Sequence, residues 1–172
     1  MEQGQESQRR PGSVATYPLV LTNLWRQRCV VVGGGAVAER KVCGLIAGGA
    51  RPVVISPTLT PQLAAWHAAG LLEYLDRPYR EGDLDGAFVI VAATNDRAVN
   101  AQIAARYAEQ PVLLNIVDDP PAGTMHTVAS VRSGDLLLTV STGGADPRRA
   151  ARVRRELAER YGEDQPPAPR PD

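Results

Sequence analysis

Short runs of apolar residues alternate with longer amphipathic segments between residues 28 and 117. Such runs are typical of strands that are buried on both faces of a parallel sheet. Strands are predicted at residues 30–32, 52–56, 71–75, 87–92 and 112–117, and helices at residues 39–47, 61–69 and 96–109. Because strand and helix alternate, we expect right-handed βαβ units and an α/β fold with a doubly wound parallel sheet.

The pattern changes after residue 118. Two strand-like runs, 125–131 and 136–141, are separated by Ser133-Gly134, a pair of residues typical of a hairpin turn. A small antiparallel appendage is therefore predicted. It is followed by a short helix over 146–161, which opens on an Asp-Pro pair and so has both a cap and a proline in its first turn.

Composition excludes several classes of protein. Hydrophobic residues make up 44% of the 172 residues, and the formal net charge is zero, so no overall positive field favours nucleic acid. No apolar run approaches the roughly 20 residues that span a bilayer, and the first residues lack the apolar core of a signal peptide. The two cysteines form no Cys-x-x-Cys pair. We therefore expect a cytoplasmic protein with reduced thiols, no membrane segment and no nucleic-acid partner.

Other features of composition concern the ends of the chain and metal binding. Residues 1–16 are polar and residues 163–172 are rich in proline, so both ends are expected to be disordered. The only two histidines, His67 and His126, lie far apart and have no cysteine or carboxylate at ligand spacing. No metal site is expected.

The clearest motif is the glycine turn that follows the first strand. Gly33, Gly34 and Gly35 stand between a buried valine run and a predicted helix, and Ala38 occupies the third small position of the G-x-G-x-x-G/A dinucleotide fingerprint. A helix that starts at such a turn offers free N–H groups and a positive dipole end to a pyrophosphate. The alternative is a flexible turn without a ligand, but the strand before and the helix after favour dinucleotide binding.

Three further segments end at the same edge of the predicted sheet. The second strand ends in Ser56-Pro57-Thr58 and lacks the acid that commonly binds the ribose hydroxyls, and no arginine follows it that would indicate NADP. After the fourth strand, Asn95 or Asp96 is either a helix cap or a residue near the cofactor. Both interpretations stay open.

Asp118 follows the fifth strand, where a carboxylate could take a proton while hydride leaves to a cofactor. Its Asp-Asp-Pro-Pro context by itself favours a simple turn.

The last predicted helix carries a surplus of arginine, which is either a solvated face or a surface for a polyanionic ligand.

Taken together, these segments resemble one family. The motifs are Val-Val-Val-Gly-Gly-Gly-x-Val-Ala-x-Arg-Lys at 30–41, Ala-Ala-Thr-Asn-Asp at 92–96, Asn-Ile-Val-Asp-Asp-Pro at 115–120 and Val-Ser-Thr-Gly-Gly-Ala-Asp-Pro at 140–147. The chain resembles the precorrin-2 dehydrogenases and the N-terminal domains of siroheme synthases over about residues 17 to 162. Residues 123–128 depart from the pattern of that family.

The resemblance implies a Rossmann-like enzyme that uses NAD to oxidise precorrin-2 to sirohydrochlorin, on the route to siroheme or cobalamin, and that in some members also inserts ferrous iron. It implies a homodimer and a catalytic role for Asp118. The cofactor-binding residues implied are Gly33, Gly35, Ala36, Val37, Pro57, Thr58, Thr94 and Asn95, and the substrate-binding residues are Thr142, Gly143 and Arg148. The alternative function is an NAD-sensing regulatory module without catalysis.

The same resemblance divides the chain into functional regions. The divisions are a disordered N-terminus at 1–16, an NAD-binding Rossmann domain at 17–119, a β-hairpin and dimerisation region at 120–145, a truncated C-terminal helical region at 146–162 and a disordered tail at 163–172.

Overall fold

The computed structural model describes residues 16–162, so the two ends that were expected to be disordered lie largely outside the described residues. Within this range the chain forms two compact units, residues 20–127 and residues 16–19 with 128–162. No helix in the described part of the chain is long and apolar enough to cross a membrane.

The larger unit contains a sheet of five parallel strands. Its elements are β1 (Cys29–Val32), α1 (Ala36–Ala47), β2 (Val53–Ser56), α2 (Pro61–Ala68), β3 (Glu73–Asp76), β4 (Val89–Ala92), α3 (Arg97–Tyr107) and β5 (Leu113–Ile116). The strand order is β3-β2-β1-β4-β5, and each neighbouring pair is parallel. This is the order of a doubly wound sheet, in which the direction of strand addition reverses after β3 and the switch point lies between β1 and β4. The predicted α/β class and Rossmann-like sheet are confirmed.

Alternation along the strands places a hydrophobic core on each face of this sheet. Val31 of β1 packs with Ala38 and Val42 of α1 and with Leu63 of α2 on one face. On the other face, the even-numbered residues of β1 pack with α3 through the side chains of Ile103, Ala104 and Tyr107. Because both faces are covered, the central strands carry uncharged, mostly β-branched side chains throughout.

Helix ends follow from local capping. Thr60 accepts a hydrogen bond from the N–H of Leu63 and precedes a proline at the first helical position, so α2 begins where the sequence predicts. The strand predicted at 71–75 begins two residues later, because the N–H of Leu71 donates to the carbonyl of Trp66 and closes the end of α2.

The smaller unit contains β6 (Ala129–Ser133), β7 (Leu136–Val140) and α4 (Pro147–Tyr161). The two strands pair antiparallel through a turn at Gly134, which has a φ of 54°, and α4 packs on them. The hairpin was expected to start at residue 125. It starts at Ala129 because the N–H groups of Thr124 and Met125 both donate to the carbonyl of Leu114, in β5.

These bonds also affect the boundary between the units. Residues 120–127 are part of the larger unit, so the two units divide between Thr127 and Val128. The functional division between residues 119 and 120 that the resemblance implies stays a prediction. A sequence pattern registers the end of β5, but it does not register backbone bonds that hold the following loop against that strand.

Candidate active site

The first two glycines of the turn are required by packing. The N–H of Gly33 donates to the carbonyl of Ile55 at 2.9 Å, and Gly33 has a φ of 121°. A β-carbon on Gly33 would lie 2.3 Å from the carbonyl oxygen of Ala93, and one on Gly34 would lie 1.9 Å from that of Thr58. The turn is therefore clamped between the loops that follow β2 and β4, where no side chain can be accommodated.

Gly35 differs, because a β-carbon there would meet nothing within 4 Å. It is the N-terminal cap of α1 and makes no side-chain cap bond, and Ala36 and Val37 are exposed beside it. Ala38 is fully buried, as expected for the small residue that lets helix pack on strand. Since the first N–H groups of a helix have no partner within it, this open end of α1 fits the pyrophosphate of a dinucleotide.

The loop after β2 carries no carboxylate. Ser56 is buried, and its hydroxyl oxygen accepts a hydrogen bond from the N–H of Thr58 at 3.4 Å. Pro57 and Thr58 are exposed at the edge of the sheet. A ribose at this position would therefore meet backbone groups and a hydroxyl instead of an acid.

The loop after β4 shows which of Asn95 and Asp96 caps α3. Asp96 caps α3 by accepting hydrogen bonds from the N–H groups of Ala98 and Val99 at 2.9 and 3.4 Å. Asn95 is exposed and is not the cap residue. The hydroxyl of Thr94 accepts from the N–H of Asp96 at 3.0 Å, which fixes the turn that leads into the helix.

Asp118 lies at the same edge, directly after β5. Its Oδ1 accepts a hydrogen bond from Nδ2 of Asn100 at 2.9 Å, and its Oδ2 lies 4.0 Å from Nε of the exposed Arg97. A 3₁₀ turn does follow at Pro120–Ala122, as the Asp-Asp-Pro-Pro composition indicates. The Asp118 carboxylate nevertheless bonds to α3, so this side chain does more than form the turn.

An open cleft of about 280 Å³ adjoins the Asp118 carboxylate. Ala101 and Ala104 of α3 and Ile116 of β5 supply apolar lining, and the carboxylates of Asp118 and Asp119 supply polar lining together with Arg97. The side chain of Asp118 is 25% exposed. It can therefore reach a ligand in the cleft while one of its oxygens stays bonded to the protein.

Sequence reasoning missed Asn100, which is only 1% exposed. Its Nδ2 also donates to the carbonyl of Thr94 at 3.1 Å, so it joins the loop after β4 to the residue after β5. A signal was present in the sequence. Asn100, Ile103, Ala104 and Tyr107 follow helical spacing on the buried face of α3, and an amide among apolar residues there needs an explanation.

The smaller unit holds the three residues assigned to the substrate. Oγ1 of Thr142 accepts from the N–H of Asp146 at 3.0 Å, and the N–H of Gly143 donates to the hydroxyl of Ser141 at 3.1 Å. Gly143 has a φ of 62°, which favours glycine. Arg148 is exposed in the first turn of α4. These contacts preorganise a polar loop at the start of an arginine-rich helix.

Among residues 16–162, no three histidine, cysteine, aspartate or glutamate side chains are grouped so that they could hold a metal ion.

Comparison with known proteins agrees with this geometry. A family model described as "Putative NAD(P)-binding" matches residues 20–129. A siroheme synthase of Chromobacterium violaceum is 40% identical over 141 residues, which are 82% of this chain and 30% of that protein. One of Escherichia coli is 36% identical over 129 residues, 75% of this chain and 28% of that protein.

A solved structure gives a longer match. SirC, a precorrin-2 dehydrogenase, is 32% identical with a TM-score of 0.75, and the alignment covers 86% of this chain and 72% of SirC. The chain spans about a third or less of the siroheme synthases that it matches. The resemblance stated from the motifs is confirmed. The chain belongs to the NAD(P)-binding family that includes the siroheme synthases and the precorrin-2 dehydrogenase SirC.

Proposed function

We propose that this protein is an NAD-dependent dehydrogenase that oxidises precorrin-2 to sirohydrochlorin. The observation that carries the proposal is the carboxylate of Asp118, which Asn100 holds beside an open cleft. Asp118 follows β5 and the dinucleotide turn follows β1, so both lie at the carboxyl ends of the strands. In open α/β sheets, ligands bind beyond the carboxyl ends of the strands, near the point where strand order reverses. The substrate is inferred from the similarity to the siroheme synthases and to the precorrin-2 dehydrogenase SirC.

The reaction removes two hydrogens from the macrocycle. When bound, NAD supplies the acceptor for the hydride. The second hydrogen leaves as a proton, so a base is needed close to the carbon that loses it. Asp118 meets this requirement because Oδ1 is held by Asn100, and Oδ2, which lies 4.0 Å from the exposed Arg97, is left to take the proton. The products are sirohydrochlorin, NADH and one proton.

The cofactor is assigned to the turn and the neighbouring loops. The open end of α1 receives the pyrophosphate, the loop after β2 receives the adenosine ribose, and the loop after β4 lies toward the nicotinamide half. The residues are Gly33, Gly35, Ala36, Val37, Pro57, Thr58, Thr94 and Asn95. Of these, Gly33 contributes through backbone shape, because its surroundings leave no room for a β-carbon.

The substrate's carboxylates are assigned to the start of α4. Precorrin-2 is a polycarboxylate, and arginine is the residue that best pairs with carboxylates through two parallel hydrogen bonds. Arg148 is exposed in the first helical turn, and Thr142 and Gly143 form the ordered loop before it. We place the enzyme in the cytoplasm and its hairpin unit in a homodimer.

The dimer is supported by the apolar surface of the hairpin unit. Leu136 is 45% exposed and Val128 is 44% exposed, on and beside a sheet of two strands. A hairpin of two strands has little stability alone, and here one helix packs on it. A second copy of the chain would cover apolar surface that is otherwise open to water.

The test is turnover with NAD and precorrin-2 under anaerobic conditions, followed by NADH fluorescence and by the absorption of sirohydrochlorin. Asp118→Asn keeps the shape of the side chain and removes the base. It is expected to retain NAD affinity and to lose about 100- to 10,000-fold in kcat, the usual contribution of a general base. Glu109→Gln neutralises an exposed carboxylate that does not line the cleft and is the matched control, expected to keep most of the wild-type turnover.

Two outcomes would contradict the proposal. If the wild-type protein binds NAD but forms neither NADH nor sirohydrochlorin, the chain is a nucleotide-sensing module. If Asp118→Asn turns over at the wild-type rate, the enzyme assignment stands and Asp118 is not its base.

A further inference from the structure

We propose that Asn100 is a positioning residue that fixes the carboxylate of Asp118 for proton removal. The proposal rests on the function proposed above and extends it to a side chain on a different element. Asn100 lies in α3, is 1% exposed, and donates to Oδ1 of Asp118 at 2.9 Å. It does not reach the cleft, so it acts through Asp118.

An asparagine is unexpected at this position. The side chains one turn further along the same face of α3 are Ile103 and Ala104, which belong to the hydrophobic core. Asparagine is a poor helix former, because its amide competes for backbone hydrogen bonds. A buried polar group left without partners costs about 1–3 kcal/mol. The amide of Asn100 has partners that offset this cost, and those partners show which requirement it meets.

The hydrogen bonds of the amide separate two roles. Oδ1 accepts from the N–H of Thr94 at 3.3 Å and lies 3.0 Å from its hydroxyl, while Nδ2 donates to the Thr94 carbonyl at 3.1 Å. These contacts all fix the loop after β4. The bond to Asp118 adds nothing to that loop, because it crosses to the residue that follows β5.

The contacts with Thr94 also set the direction of the amide. Since Oδ1 faces the N–H of Thr94, a flipped amide would place two donors against each other. Nδ2 must therefore point toward Thr94 O and Asp118. Rotation of the Asp118 side chain would break its bond to Nδ2. The carboxylate is therefore held in one orientation, in which Oδ2 receives the proton and lies 4.0 Å from Nε of the exposed Arg97.

The experiment replaces the donor and keeps the shape. Asn100→Asp retains an acceptor for Thr94 and loses the N–H that Asp118 needs. The new carboxylate also faces the carbonyl of Thr94 and the carboxylate of Asp118, so the orientation of the base is lost. We expect kcat to fall about 10- to 100-fold. The KM for NAD is expected to change less than kcat, because the side-chain hydrogen bonds of Asn100 go to Thr94 and Asp118 and not to the glycine turn. Asn100→Ser, which adds no charge, is expected to show the same split and covers the case in which the aspartate variant does not fold.

A purely structural role is tested by a matched variant and a double-mutant cycle. Asn115 of β5 is also buried, at 4% exposure, and donates to the carbonyl of Met125 at 3.1 Å. Asn115→Asp is expected to lower the melting temperature while kcat stays at the wild-type value. In the Asp118→Asn background, Asn100→Asp is expected to cause no further loss of turnover, because residues that act as a unit are not additive.

The proposal is overturned if Asn100→Asp turns over like the wild type, if it loses the same factor in the Asp118→Asn background, or if Asn115→Asp loses kcat to the same extent. Those results leave the dehydrogenase itself in place. An inactive wild-type protein overturns the proposed function instead, and with it the role of Asn100.

Discussion

The glycine turn gives a prediction in which neighbouring residues respond in opposite ways to the same substitution. Gly34→Ala places a β-carbon 1.9 Å from the carbonyl oxygen of Thr58, whereas Gly35→Ala places one in open space. Gly44, an exposed residue within α1 that also has nothing near its would-be β-carbon, provides the control. Each variant adds a single methyl group.

The expected loss of stability follows from the distances. Ordinary contact begins at about 3.4 Å, so the loop after β2 must move by about 1.5 Å to accept alanine at position 34. Overpacking of this kind costs about 3 kcal/mol. For a protein of this size, that corresponds to a fall in melting temperature of about 6–12 °C.

Alanine at position 35 is expected to leave the fold nearly intact. Gly35 has extended backbone angles, φ −86° and ψ −176°, which any residue adopts. The cost at a helix cap is below about 1 kcal/mol. The methyl group does occupy the space in front of the N–H groups of α1, where the pyrophosphate is assigned. NAD affinity is therefore expected to fall about 10- to 100-fold, or about 1.4 to 2.8 kcal/mol.

Differential scanning calorimetry and NAD titration calorimetry separate these effects. Gly44→Ala is expected to raise stability by about 0.5–1 kcal/mol, because alanine favours a helix interior, and to bind NAD like the wild type. Wild-type NAD affinity in Gly35→Ala would refute the placement of the pyrophosphate. A wild-type melting temperature in Gly34→Ala would refute the close packing of the turn.

Two further predictions concern the thiols and the assembly. Burial raises the pKa of the Cys29 thiol to about 11, so it stays protonated at pH 8 while the exposed Cys43 reacts with a thiol reagent. One thiol is expected to react in the native protein and two after unfolding, and two fast native thiols would contradict this. Light scattering is expected to give twice the monomer mass, falling toward the monomer in Leu136→Asp because a charge enters the apolar surface; a wild-type monomer would contradict the dimer.

The sheet was predictable because its strands are short runs of apolar, mostly β-branched residues. The valines of β1 and the apolar run of β4 are buried on both faces, so their sequence leaves little choice of element. The start of the hairpin was not predictable in the same way. It depends on the backbone bonds from Thr124 and Met125 to Leu114, and such bonds leave no mark on side-chain pattern.

The site was predictable where it is made of backbone and small residues. A glycine turn between strand and helix indicates a pyrophosphate site directly, and Asp118 was identified through a motif. The partner of Asp118 was not identified, because Asn100 comes from another element and eighteen residues earlier in the chain. Motif reasoning collects residues that follow strands, so it misses a side chain that reaches the same point from within a helix.

The cap of α3 fixes the number of residues between Asp96 and Asn100. Asp96 sets where the helix begins, and Asn100 follows it by about one helical turn. Each residue inserted between them would rotate the amide by about 100° away from Asp118 and turn the core-facing side chains of the helix toward water. Insertions and deletions are therefore expected to accumulate at the C-terminal end of α3. The first turn keeps the same number of residues, because that number decides which side chains of the helix face the core.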